Sequence, residues 1–199
     1  HGHPAESYEE AFALQDTMML SEVSGLKPSH LRVAGLLQAI RRVRTKRGEW
    51  MAFMRLEDST GGIDAVVFPR VYARIQPLLA DGSAVLIEGR LDAQEEKLQI
   101  VAERIEPVAE TGDGDFQVII RIDRQSDDAR GLQRLQQVLA KHRGRRGVML
   151  YYSYKKMMRD LSRTYRVHYS RQFIRDIEQL LGKRALHIKN QPNKLMTDI

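Results

Sequence analysis

Between Arg41 and Arg55 six Lys or Arg side chains face one acid, Glu49, and a ring and a guanidinium, Phe53 and Arg55, stand two residues apart. Two residues is the period of a β-strand, so Phe53 and Arg55 share a face. Aromatic rings stack on nucleobases and cations balance phosphates, which is the chemistry that single-stranded nucleic acid requires. Trp50, Ala52, Met54 and Leu56 form the alternate, apolar set, which should point into a core.

Catalysis finds no comparable pattern. There is no cysteine, no GxSxG, no Gly-rich phosphate loop and no HExxH among the six histidines. Glu57 and Asp58 are adjacent rather than face-sharing, and an Asp before Ser-Thr-Gly reads as turn chemistry. Asp127 and Asp128 stand where a helix dipole favours carboxylates. Asp113 and Asp115 flank Gly114 without the other ligands of a calcium loop. No catalytic residue, metal site or cofactor is expected in this segment.

The net charge is +6, and its distribution is uneven. Lys141 to Lys189 holds 14 Lys or Arg against three acids, a local +11, so the rest of the chain sums to −5. Two basic islands on a mildly acidic chain favour a polyanionic partner. The absence of cysteine, of a secretory leader and of a long apolar run leads to the expectation of a cytoplasmic protein with no membrane partner. A chain opening on His1 rather than Met suggests a piece of something longer.

These residues need elements to position them. Residues 1–29 are acidic and helical in pattern, ending at Lys27-Pro28-Ser29, and read as a connector packed on whatever precedes it. Residues 30–108 predict strands at His30–Val43, Glu49–Leu56 and Ile63–Phe68, a helix opened by Pro69, then strands at Ala84–Leu91 and Leu98–Ile105. Three strands, a helix and two strands is the order of the five-stranded OB barrel, whose ligands lie on strands 2 and 3 and on the loops joining strands 1–2 and 4–5. That places Phe53 and Arg55 on the binding face, Arg44, Lys46 and Arg47 on the first loop, and Lys97 on the second. Phe68 is a further stacking candidate, on the third strand opposite to the core set Ile63, Ala65 and Val67. Arg41 and Arg42 point in opposite directions, so at most one serves that face.

Residues 109–115 read as a linker. Residues 116–189 predict a small α+β domain of βαββαβ type: a strand at Phe116–Ile122, a helix from Ser126 to Lys141, a turn at Gly144–Gly147 and a strand at Val148–Tyr154. A partner strand through Leu161 follows, then a helix capped by Ser170 and stopped by Gly182, and a strand at Ala185–Ile188. Residues 190–199 form a tail without pattern. The fold class is therefore mostly β plus α+β.

The runs Gly35-Leu36-Leu37, Arg41 to Gly48, Met51-Ala52-Phe53, Leu56 to Gly61 and Val66-Val67-Phe68-Pro69 resemble the OB domain of bacterial DNA polymerase III alpha subunits. Gly2-His3-Pro4 with Tyr8 is similar to the segment before that domain. Asp123 to Asp128, Leu150-Tyr151-Tyr152, Tyr165-Arg166-Val167 and Leu180-Leu181-Gly182 resemble the family's C-terminal domain. Tyr169 departs from it, standing where the family more often has proline. The resemblance implies a non-catalytic part of a replicative polymerase in DNA replication. It also implies single-stranded DNA as a partner, and a clamp-loader tau-like subunit with other replisome proteins. Mg2+ would belong only to the absent polymerase domain of the parent, a nucleotidyltransferase. The alternatives are an interaction adaptor with a structural barrel, or an OB module for tRNA or other RNA.

Overall fold

Fifteen residues from His30 to Arg44 form one strand, β1, long enough to serve two neighbours. Its first half pairs antiparallel with β4 (Ala84–Gln94) and its second half with β2 (Trp50–Asp58). β3 (Gly61–Val67) pairs antiparallel with β2 and parallel with β5 (Lys97–Pro107), and β5 returns to β4. The sheet thus closes as β1-β2-β3-β5-β4. Closure leaves no free sheet edge, which is how a small barrel satisfies its backbone groups. This computed structural model describes residues 2–190 apart from Pro28, Glu95, Glu96 and Asp113.

Alternation fills the interior. Ala52, Met54 and Leu56 of β2 are buried with Leu37, Ile63, Ala65, Ile87 and Ile100 from the other strands. Trp50 departs from its expected companions: its side of β2 has run past the end of the barrel, and it is 44% exposed. Helix α2 (Pro69–Ile75) places Tyr72 in the core, and Leu79 follows it there. The hairpin of β4 and β5 runs past its expected ends to Gln94 and Lys97, while Glu95 and Glu96, expected at its turn, lie outside the described residues.

The first residues do not lie apart from this barrel. A short 3-10 helix (Pro4–Tyr8) and α1 (Glu9–Leu14) bury Ala5 and Phe12 against Ala34, Leu36 and Ala84 of β1 and β4. Leu20 and Val23 join the barrel core itself. Asp58 ties the two parts: one carboxyl oxygen accepts from Leu20 N at 3.0 Å, the other from Thr60 N at 2.8 Å and Gly61 N at 3.0 Å. That is the turn chemistry expected of Asp58, with a tether added. Residues 1–110 accordingly form one compact unit and 111–199 a second.

The second unit is a sheet of order β10-β6-β7-β8 with β9 also on β7. Its strands are β6 (Phe116–Ile122), β7 (Arg143–Tyr152), β8 (Met157–Asp160), β9 (Arg166–Val167) and β10 (Leu186–Asn190), with α3 (Ala129–Lys141) after β6 and α4 (Arg171–Leu181) before β10. β6 and β7 run parallel, as a helical crossover requires. The core includes Phe116, Val118, Ile120 and Ile122 on β6, Val148 and Leu150 on β7, Leu135 and Leu139 on α3, and Phe173 and Ile177 on α4. Tyr169 is buried between the rings of Phe116 and Phe173, at centroid distances of 5.9 and 6.2 Å. Helix α3 begins at Ala129 rather than Ser126, and Asp128 caps it, accepting from Gly131 N at 2.6 Å. The expected turn at Gly144–Gly147 is instead strand. A Cβ on Gly144 would stand 2.3 Å from His168 N, so the glycine serves a close approach of chains. His1, Asp113 and residues 191–199 of the tail lie outside the described residues.

Asp176 of α4 sits with Oδ2 2.6 Å from His142 Nε2, and Gln172 donates to its Oδ1 at 2.9 Å. Burial pushes this carboxyl up, but the bonds from His142 and Gln172 and the Lys141 charge outweigh it and hold Asp176 below the usual carboxylate range. A depressed carboxylate stabilises the fold above its unfolded value of about 3.9 and ceases to do so as pH falls through its folded value. Urea unfolding at several pH values checks this: the stability gap between the parent and Asp176→Asn should be widest near neutrality and should close below about pH 4.

Candidate nucleic-acid interface

One extra residue in β1 shapes the exterior of the barrel. The register slips between Gln38 and Arg41, and Ala39 takes φ +51. This bulge turns both Gln38, opposite Arg55, and Arg41, opposite Phe53, to the outside. Continuing in register, Phe53 neighbours Val66 of β3, Val66 neighbours Val101 of β5, and Val101 neighbours Arg90 of β4. The result is a row of apolar groups with a cation at either end. The Arg41 guanidinium lies 5.1 Å from the centroid of the half-buried Phe53 ring, a cation–π contact that fixes the ring. Val66, expected on the outward face, is on it yet fully buried between its neighbours.

The next row is different. Arg55 is exposed, but its guanidinium is held by Asp64 Oδ1 at 3.2 Å and Glu57 Oε1 at 3.4 Å. Two carboxylates on one guanidinium leave little field for a phosphate, so the free positive charge lies on the other side of Phe53. There the turn Thr45–Glu49 is closed by Thr45 N on Glu49 O at 2.8 Å and Gly48 N on Thr45 O at 2.9 Å. Gly48 takes φ +80, a conformation glycine adopts without strain. Lys46 and Arg47 stand exposed on it, and Arg44 covers the Trp50 ring at 4.6 Å.

Of the residues singled out from sequence, Phe53 lies with Arg41 and Val66, while Arg44, Lys46 and Arg47 share the adjoining hairpin. Phe68 is 46% exposed and lines a groove with Trp50 rather than joining the Phe53 row. Lys97 is exposed opposite Gln94 on the other hairpin. Arg42 is committed to structure, donating to Tyr72 Oη at 3.2 Å and to Leu79 O at 2.5 Å. Of Arg41 and Arg42, of which at most one was expected on this face, the bulge selects Arg41; Arg90, at the far end of the row, was missed because only the cross-strand register brings it there. Among the described residues no cluster of three acidic or His side chains could hold a metal ion, and no helix is long and apolar enough to cross a membrane.

Residues 31–108 match the family model of the OB-fold nucleic acid binding domain. The chain is 28% identical over 189 residues to DNA polymerase III subunit alpha of Bacillus subtilis, covering 94% of this chain and 17% of that protein. It is 31% identical over 188 residues to DNA polymerase III subunit alpha of Halalkalibacterium halodurans, covering 92% and 16%. It thus spans about a sixth of the length of these curated relatives. Among solved structures, asparaginyl-tRNA synthetase from Pyrococcus horikoshii is similar over 49% of this chain and 24% of that one, at 25% identity and TM-score 0.39.

Proposed function

We propose, from a chain that is homologous along nearly its whole length to DNA polymerase III alpha subunits, that it is a replication module holding single-stranded template DNA on its OB barrel. The observation that carries the reading is the row Arg41–Phe53–Val66, an exposed-edged ring braced by a cation beside the basic hairpin of Arg44, Lys46 and Arg47. Bases stack on the ring, and phosphates pass along the hairpin. Arg55, with its charge already shared by two carboxylates, positions the face rather than gripping the backbone. Lys97, on the hairpin of β4 and β5, extends the contact at one end.

The second unit serves protein partners in this reading, among them a clamp-loader tau-like subunit. Two features support a docking role for it. It carries the larger basic charge, and its four-residue strand β8 is exposed throughout, with Met157 57% and Met158 46% exposed. Polymerisation and its Mg2+ belong to the remaining length of the parent.

Counterion release tests the barrel reading. The logarithm of the affinity for an oligothymidylate should fall linearly with the logarithm of salt, and each neutralised phosphate contributes about 0.7 to the slope. Lys46→Gln combined with Arg47→Gln should therefore reduce the slope by about 1.4. An unchanged slope in fluorescence anisotropy would remove the hairpin from the interface.

A further inference from the structure

The exposed aromatics Trp50 and Phe68 have no part in the Phe53 row. By alternation Trp50 lies on the opposite side of β2 from Phe53. With Phe68, Pro69, Tyr72, Arg70 and Glu49 it lines a groove of about 620 Å³ between the start of β2 and helix α2. Trp50 and Phe68 are 44% and 46% exposed, and neither is needed to complete the barrel core. One side of the indole is already occupied by the Arg44 guanidinium at 4.6 Å, yet the ring still lines the groove.

We infer that this groove is a second base-stacking site, which takes one or two unpaired nucleobases of the strand that the hairpin holds. The inference rests on the barrel reading above and adds to it a separate seat for bases. The chemistry of the lining selects the occupant. Two exposed rings and a proline offer flat apolar surface at the scale of a base, and Tyr72 lies beneath them. The carboxylate of Glu49 can accept from a ring N–H or an exocyclic amine of a base. The surroundings are cationic, with Arg44 over the indole, Arg70 in the wall and Lys46 and Arg47 on the adjoining turn, which complements the phosphates flanking a seated base. The hairpin between β1 and β2 then has a ring on each side, Phe53 outward and Trp50 toward α2. A strand draped across it is gripped by bases on both.

Trp50 is the only tryptophan in the chain, so it reports its own occupancy. The intact chain is titrated with a 5′-labelled oligothymidylate, following anisotropy of the label and, with unlabelled strand, emission of Trp50. An abasic deoxyribose-phosphate oligomer of equal length serves as the chain without bases. The expected result is saturable quenching with the midpoint seen in anisotropy, little quenching by the abasic oligomer, and affinity about five- to tenfold weaker for Phe68→Ala. Binding seen by anisotropy with unaltered Trp50 emission and full affinity for Phe68→Ala would overturn the groove and leave the barrel interface standing. Equal quenching by the abasic oligomer would also overturn it, because charge alone would then account for the signal. No anisotropy change with either oligomer would overturn the groove and the barrel interface together.

Discussion

Phe53→Ala is expected to weaken binding of single-stranded DNA by about 5- to 150-fold while the chain stays folded. The range follows from stacking, worth about 1–3 kcal/mol per base when the ring is removed. Phe53 is only half-buried, and its loss uncovers Val66 and frees Arg41 without opening a cavity in the barrel interior. Phe53→Tyr keeps the stacking surface and should bind within about threefold of the parent. Arg55→Ala should change affinity less than Phe53→Ala, since Asp64 and Glu57 already hold that guanidinium. Anisotropy titrations of the three variants, with circular dichroism to confirm folding, order these effects. A larger loss from Arg55→Ala than from Phe53→Ala would reverse the assignment of the face.

Leu56→Ala should cost about 2–5 kcal/mol of stability, against the 5–15 kcal/mol typical of a domain. Leu56 is fully buried and lies in register between Leu37 of β1 and Ile63 of β3, both in the same core. Removing its branched end leaves a cavity that strands fixed by barrel closure cannot collapse to fill. Urea unfolding should show a lower midpoint at unchanged slope. A loss below about 0.5 kcal/mol, the level of surface substitutions, would mean that the β2 alternation has been assigned to the wrong faces.

The β2 alternation is where sequence was most informative. Ala52, Met54 and Leu56 against Phe53 and Arg55 is a period-2 pattern with one apolar side, and the structure buries that side. Pro69 after β3 and the strand order around α2 were likewise legible, because each rests on local chemistry. What escaped depends on contacts between segments distant in sequence. Ala39 at positive φ gives no compositional sign of a bulge, yet that bulge alone puts Arg41 beside Phe53. The neutralisation of Arg55 needs Asp64 of the next strand in register. Trp50 fits the apolar side of β2 by pattern, and its exposure follows from where the barrel ends, a length that alternation does not encode. Gly144 looked like turn glycine because close approach and positive φ select the same residue.

If rings as well as charge hold the strand, single and double strands bind differently. Affinities for an oligothymidylate and for a duplex with the same number of phosphates are measured by anisotropy at matched ionic strength. Stacking on Phe53 requires an unpaired base, whereas the basic hairpin attracts both polyanions. The single strand should bind at least about tenfold more tightly. Equal or tighter binding of the duplex would remove the stacking role of Phe53 and leave only a basic surface.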